Sequence, residues 1–477
     1  MTEYPTALVW LRNDLRLADN PALLAATQSA RQVTALYIHE TDPSLRPTGA
    51  AARWWLHQSL VRLEKSLAGV GIRLLVRTGL AGDVVRETLT EIGAEALHWN
   101  RRYGPAERDI DSAIKAGLRD SGVTVVSHAG NLLAEPWTTK TGQGKPYSVF
   151  TPFWKTLRDT QIARPLPPPE PIDAVVSTEG ADGTYVEPHW AEKLHSHWDA
   201  GEDAARERLA DFLDGMVAAY PGDRDIPAKD GTSRLSPHLR FGEISPRQIW
   251  HAARLRAELE PELAGGIEKF LSELAWRDFS YCQLYHREDI SRTTMQLKFS
   301  GLAWREAPEE IGRWQRGQTG FPIIDAGMRE LWETGYMHNR VRMLVASLLT
   351  KNLQIDWRLG EAWFWDCLVD ADVANNPASW QWVAGSGLDA APYFRIFNPV
   401  TQGERFDPAG NYVRHWVPEI AGLPDKWVHK PFAAPEPILK AARITLGQTY
   451  PHPVVDLAAS RLRALEGFAQ LGNEFAP

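Results

Sequence analysis

Three stretches of this 477-residue chain combine residue types that can do chemistry. Residues 231–246, GTSRLSPHLRFGEISP, set the hydroxyls of Thr232, Ser233 and Ser236 around a Ser-Pro helix start. Hydroxyls at such a place cap the helix, which is their commoner use. They can also hold phosphate together with the first helical amides. Residues 337–358 put Asn339 with Arg342, and Arg340 with Met343, on adjacent faces of one helix above an apolar remainder. That pattern is an exposed helix end or the polar rim of a pocket. In residues 368–408, Asp370 and Asp372 stand in a low-charge run, followed by Asn375-Asn376-Pro377, a strong turn signal, and by Trp380 and Trp382. Carboxylates buried among such neighbours need a partner, and Arg342 is the natural one.

Composition narrows the choices. The chain is 23% charged with a net charge of −8, which argues against a uniformly basic nucleic-acid surface but leaves room for a local patch. Its 20 tryptophans are an excess, many of them crowded between Trp276 and Trp382. An aromatic core explains most of such an excess; stacking or electron transfer is the sharper alternative. Cys282 and Cys367 are the only cysteines, too few for a disulfide framework, and no Cys/His spacing points to zinc. No apolar run is long enough to span a bilayer, and the first residues do not read as a secretory leader. A reducing cytoplasm fits, with neither metal nor membrane expected.

The elements that must position these residues fall into two kinds. Up to about residue 130, strand-length apolar runs at 7–11, 33–39, 72–76, 96–99 and 123–126 alternate with helical stretches at 51–68, 83–92 and 106–120. That alternation predicts an α/β domain with a doubly wound parallel sheet over 1–130. The loop after the first run, RNDLRLADN, has no glycine, so it lacks the dinucleotide fingerprint. Residues 131–200 read as a connector, proline-dense at RPLPPPEP and turn-rich after it. From 201 to 477 the expected structure is all-α, with helices over 204–219, 246–259, 267–286, 322–333 and 339–353.

Several longer motifs then point to one family. WLRNDLRLADNPAL, TSRLSPHLRFGEISPRQ, ELAWRDF, GFPIIDAGMREL, MHNRVRM, DADVANNPASWQWVAGSGLDAAPYFRIFNP and QGERFDP all resemble the photolyase/cryptochrome family, in its order and over nearly the whole chain. The likeness is strongest to class I cyclobutane pyrimidine dimer photolyases. It implies an all-α C-terminal FAD-binding domain over 201–477 that also takes the DNA lesion.

By that resemblance Tyr220, Thr232, Ser233, Leu235 and Ser236 line the phosphate and ribose side of FAD. Asn339, Arg342, Asp370, Asp372 and Asn376 surround the flavin ring, with Asn376 at N5. Trp380, Trp357 and Trp304 match electron-transfer tryptophans. Glu273, Trp276, Met343 and Trp382 match the lesion pocket, and Arg224, Arg277, Arg340 and Arg395 are candidates for phosphate contacts. Phe270 stands where some relatives carry tryptophan. The implied activity is light-driven splitting of pyrimidine dimers flipped out of damaged DNA, by a monomer, with Glu273 and Asn376 in catalytic roles. A blue-light-sensing cryptochrome and a (6-4) photolyase are the rivals. Asn376, where plant cryptochromes tend to carry aspartate, Met343, where the (6-4) branch uses histidine, and the lack of a long polar tail favour dimer repair. An antenna chromophore, methenyltetrahydrofolate or 8-hydroxy-5-deazaflavin, is implied as an option, with Glu107 or residues 46–60 as its neighbours. An empty or purely structural cleft is the alternative there.

Overall fold

The computed structural model describes residues 3–172, 183–287, 289–393 and 395–474. The turn-rich stretch at 173–182 therefore lies outside the described residues. Strands β1 (Tyr4–Leu11), β2 (Ala30–Glu40), β3 (Arg73–Gly79), β4 (Ala96–Asn100) and β5 (Thr124–His128) form one parallel sheet in the order β3-β2-β1-β4-β5. The connecting helices are α1 (Pro21–Ser29), α2 (Ala50–Gly69), α3 (Ala81–Ile92) and α4 (Pro105–Arg119). All five expected strands are present. Helix α1 was not among the expected helices; its signal is local, with Asn20 accepting from the Leu23 amide and Pro21 at the first position.

In the central strand, Ala7 pairs with Val33 on one side and Ala96 on the other. Every residue from Ala7 to Leu11 is buried, as a strand covered on both faces requires. On one face Leu8, Trp10, Leu36 and Leu97 pack with Val85 and Leu89 of α3 and Ile114 and Leu118 of α4. The loop after β1 is consumed internally. The amides of Leu15, Arg16 and Asp19 bond to the carbonyls of Phe241, Asp14 and Leu166, while Leu17 and Ala18 donate to the Glu202 carboxylate. Arg16 donates to the carbonyls of Asp19, Gly242 and Gly130. No amide from Leu15 to Asp19 is left for a pyrophosphate.

The remainder is helical: α5 (Phe150–Arg158), α6 (Glu202–Asp211), α7 (Tyr220–Asp223), α8 (Ser236–Phe241), α9 (Pro246–Leu259), α10 (Ala264–His286), α11 (Pro308–Gln315), α12 (Pro322–Thr334), α13 (Asn339–Ser347), α14 (Trp357–Cys367) and α15 (Asn375–Ala384), with shorter segments and a last helix at Leu457–Glu474. Three local expectations need correction. The helices read at 204–219 and 339–353 each pass into a π turn, Phe212–Met216 and Leu348–Asn352. Asn375-Asn376-Pro377 opens α15 instead of turning the chain, because Asp372 takes the amides of Ala374 and Asn375 and a proline in the first turn forfeits no helical bond. The stretch read as a connector carries α5 and a short 3₁₀ turn, His189–Ser196.

By packing, residues Met1–Ala218 and Ser233–Glu288 form one compact unit, and Ala219–Thr232 with Asp289–Pro477 a second. Helices α8 to α10 thus group with the sheet. The Glu243 carboxylate accepts from Trp55 Nε1 at 3.2 Å, from the Gly201 amide at 2.8 Å and from Ser59. Trp276 of α10 stacks on Phe150 of α5, ring centres 3.9 Å apart. The second unit is built on a core that includes Trp314, Val341, Leu348, Trp357, Phe364 and Trp380. Among the described residues, no helix is long and apolar enough to cross a membrane.

Candidate functional site

In the second unit, helix α13 gathers Asn339, Arg340, Arg342 and Met343 onto its first two turns. His338 caps it, its Nδ1 accepting from the Arg340 amide at 3.2 Å, while its buried Nε2 has no hydrogen-bond partner among the described residues. Burial pushes this imidazole down to about 4, with Asp225 opposing and Arg340, Arg342 and Arg224 adding to the shift, so the ring is neutral at pH 7. Arg342 donates to the Met337 carbonyl at 2.7 Å and forms a two-pronged pair with Asp370, at 3.1 and 2.9 Å. Asp370 is only 4% exposed, so the pair satisfies a carboxylate that would otherwise be buried alone. Burial opposes the Arg342 charge, but the combined pull of Asp370, Tyr336 and Glu330 leaves its pKa raised. The partner proposed for the two aspartates is thus found for Asp370. Asp372 instead holds the start of α15, accepting from Ala374, Asn375 and the Asn375 side chain.

Asn376 is buried on the first turn of α15. Its side-chain nitrogen donates to Glu361 of α14, at 2.8 Å to the carboxylate and 3.1 Å to the backbone carbonyl. Both partners are acceptors, which fixes the amide's orientation and leaves the oxygen as the outward end. Sequence reasoning missed Glu361. The signal was present as a lone acid inside the apolar run WRLGEAWFW.

Trp380 is buried edge-on to Phe364, 5.0 Å between centres, and to Trp314 at 6.3 Å. Gly360 is needed beneath it, since a Cβ there would lie 2.2 Å from the Trp380 ring. Trp357 is fully buried, its indole nitrogen unpartnered among the described residues. Trp304 and Trp382 are half-buried against the same core. Tyr220 is buried at the start of α7, with the Arg224 guanidinium 5.5 Å from its ring. Arg340 pairs with Asp225 at 2.6 Å and lies over Phe406, so it is already engaged. The Arg395 side chain is exposed and has no ion-pair partner among the described residues.

The hydroxyls before α8 do not cap it. The cap position is Leu235, buried and without a side-chain bond, and Ser236 is exposed. The capping hydroxyl of this stretch is Ser245, at the start of α9, which accepts from the Gln248 amide at 3.0 Å. The hydroxyls of Thr232 and Ser233, and the exposed amide of Asn339, make no hydrogen bond within the described protein. In the first unit, Glu273 of α10 accepts from Lys269 at 2.6 Å, and Arg277 donates to the Asn131 carbonyl at 2.6 Å. One stacked face of Trp276 is occupied by Phe150. Phe270 is buried against Phe212, 4.6 Å between centres. Of the antenna candidates, Glu107 folds back to accept from the Gly104 amide at 3.0 Å, and Trp54 and Trp55 are core residues.

Two family models match the chain: one described as DNA photolyase over residues 7–171, and one as the FAD binding domain of DNA photolyase over residues 270–470. A deoxyribodipyrimidine photo-lyase of Agrobacterium fabrum is 47% identical over 470 residues, covering 97% of each chain. Cryptochrome-1 of Arabidopsis thaliana is 37% identical over 98% of this chain and 70% of that protein. A solved bacterial class III photolyase from Agrobacterium tumefaciens superposes with a TM-score of 0.94 at 46% identity, covering 99% of both chains.

Proposed function

The chain belongs to the photolyase/cryptochrome family, and from that premise we propose that it repairs cyclobutane pyrimidine dimers in DNA with blue light. FAD is the cofactor, carried by the FAD-binding domain of a DNA photolyase. The residues present suit it. Thr232 and Ser233 have hydroxyls free to take phosphate, and Asn339 has a free amide at the start of a nine-residue helix.

The observation that carries the reading is the polar set of the second unit. Arg342 is neutralised by buried Asp370, and Asn376 is turned by Glu361 so that its oxygen is the accepting end. Bound, fully reduced FAD supplies the photoexcited electron that opens the cyclobutane ring and takes it back afterwards. Arg342 with Asp370 would hold the flavin edge without adding net charge, and the Asn376 oxygen would accept a hydrogen bond from a ring N–H. In the second unit Trp382 and Met343 would wall a flipped base, and arginines such as Arg395 would take phosphates. Trp380 would refill the flavin with electrons when it has been oxidised. The helical part from residue 201 onward would hold both ligands.

The sequence motifs resemble class I members, whereas the solved relative at 46% identity is a class III photolyase. The likeness to a plant cryptochrome favours a second reading, light sensing, against which Asn376 is the discriminating residue. An antenna chromophore would be seen as a second absorbing species in native protein. The test is illumination of FAD-loaded protein with three oligonucleotides. A cyclobutane dimer should be reversed and a (6-4) photoproduct left intact, with the undamaged strand bound more weakly than the dimer. Repair of the (6-4) lesion instead, or of neither, overturns the proposal.

A further inference from the structure

The second unit buries one lysine that the site described above does not use. Lys351 lies in the π turn Leu348–Asn352 continuing α13, wholly excluded from solvent. Its Nζ donates to the carbonyl of Arg395 at 3.0 Å and sits 5.3 Å from the centre of the Tyr393 ring. Among the described residues no carboxylate pairs with it. An ammonium buried without a counter-ion is costly, and burial first, then the Arg395 charge, pulls its pKa down to about 7. The Tyr393 phenol is pushed up to about 12 by burial and stays neutral beside it. For packing alone, methionine would fill this position at less cost. One turn earlier, the Ser347 hydroxyl accepts from the Phe397 amide at 3.2 Å. The chain is therefore gripped at the carbonyl of residue 395 and again at the amide of residue 397. Tyr393 stacks on Phe468, 4.7 Å between centres, and secures the approach to this grip. Between these anchors the Arg395 side chain points into solvent with no ion pair, whereas Arg340 and Arg277 are already bound. Interrupted helices of this kind recur at functional sites.

We propose that Lys351, seconded by Ser347, is a positioning residue for DNA: it locks the backbone at 395–397 so that the Arg395 guanidinium is preorganised for a phosphate of the damaged strand. This rests on the reading that the chain binds dimer-containing DNA. A phosphate contact made by a held arginine forfeits less freedom on binding than one made from a loose loop.

The test is steady-state repair by pre-reduced, FAD-loaded wild type, Lys351→Met, Arg395→Ala and the double variant on a dimer-containing oligonucleotide, at several salt concentrations. Lys351→Met should raise KM about fivefold, the upper end for an exposed ion pair, with kcat and the flavin spectrum unchanged. Arg395→Ala should match it, and the double variant should be no worse than either. Both single variants should flatten the salt dependence of binding by roughly one phosphate, about 0.9 in the log–log slope. Additive effects, a lower kcat or an altered flavin spectrum in Lys351→Met would overturn the proposal. So would Arg395→Ala without effect in an enzyme that does repair dimers. A wild type that cannot distinguish dimer DNA from intact DNA fails earlier, and it is the functional reading that falls. If Lys351→Met does not load FAD, Ser347→Ala must raise KM at constant kcat, and an unchanged KM there overturns the proposal as well.

Discussion

The loop after β1 and the entrance to α13 are both rich in charged and hydrogen-bonding residues, yet they use them in opposite ways. From Leu15 to Asp19 every amide has an acceptor, and Arg16 spends its guanidinium on three carbonyls, that of Asp19 in its own loop and those of Gly130 and Gly242 in distant segments. At the head of α13, by contrast, the Asn339 side-chain amide and the His338 Nε2 lack hydrogen-bond partners among the described residues, and so do the hydroxyls of Thr232 and Ser233 in the stretch before α8. Polar groups that are saturated inside the protein hold the fold together. Those left open at the head of a helix are kept for something that arrives later. The sheet, whose topology would suit a dinucleotide, has its first loop closed to one.

The largest effects should separate these two uses. Arg16→Met should orphan three carbonyls, and Arg342→Ala should leave buried Asp370 unpaired. Each should cost about 3–5 kcal/mol or less of stability by chemical denaturation. Only Arg342→Ala should lower the ratio of FAD to protein among molecules that still fold. Loss of FAD from both alike would erase the distinction.

Trp380→Phe comes next. It keeps an aromatic ring over Gly360, so stability should fall by roughly 1–2 kcal/mol. Light-driven reduction of oxidised flavin with an external donor should drop at least tenfold, while repair by chemically pre-reduced enzyme is largely retained. Photoreduction that persists would make Trp380 a core residue and no more.

A smaller effect is expected from Thr232→Ala with Ser233→Ala. Because neither hydroxyl has a partner among the described residues, the unfolding free energy of flavin-free protein should stay within about 0.5 kcal/mol of wild type. FAD affinity should fall about tenfold, for the loss of hydrogen bonds to a charged phosphate. Equal loss in both measurements would mean that the hydroxyls serve the fold.

Asp278 breaks the comparison from within the first unit. It accepts the amides of Leu133 and Ala134, yet its second oxygen is buried without a partner among the described residues. Burial pushes this carboxyl up to about 7, despite Arg277 and the two amides pulling the other way. Its folded pKa thus exceeds its unfolded one, so the folded state holds the extra proton between about pH 4 and 7. Stability should be greatest below pH 4 as far as this group is concerned, and fall as pH rises through 7. In Asp278→Asn that slope should vanish from a series of thermal melts; an unchanged slope would assign it to another group.

Much of this was legible in the sequence. The five strands announce themselves as apolar runs of strand length, because a parallel sheet buries both faces of each strand. Arg342 as partner to a nearby carboxylate follows from the cost of burying Asp370 alone. What was not legible depends on contacts distant in sequence. Asn-Asn-Pro reads as a turn until Asp372 supplies the cap that lets it start a helix. Glu361 looks like one acid among aromatics until Asn376, fifteen residues on, is seen donating to it. Lys351 looks like the solvent-facing end of a helix until the π turn carries it inward. Trp314 looks like any other tryptophan of its stretch until its contact with Trp380 is seen.

The proposed reversal of cyclobutane dimers by light requires reduced flavin bound to this protein. The most direct measurement is illumination of pre-reduced, FAD-loaded protein with an oligonucleotide carrying one thymine dimer, following the return of absorbance as the intact bases re-form. The account predicts recovery that needs blue light and reduced flavin together and continues over many turnovers. Recovery in the dark, or none under light with protein that binds the dimer and holds reduced FAD, would contradict it.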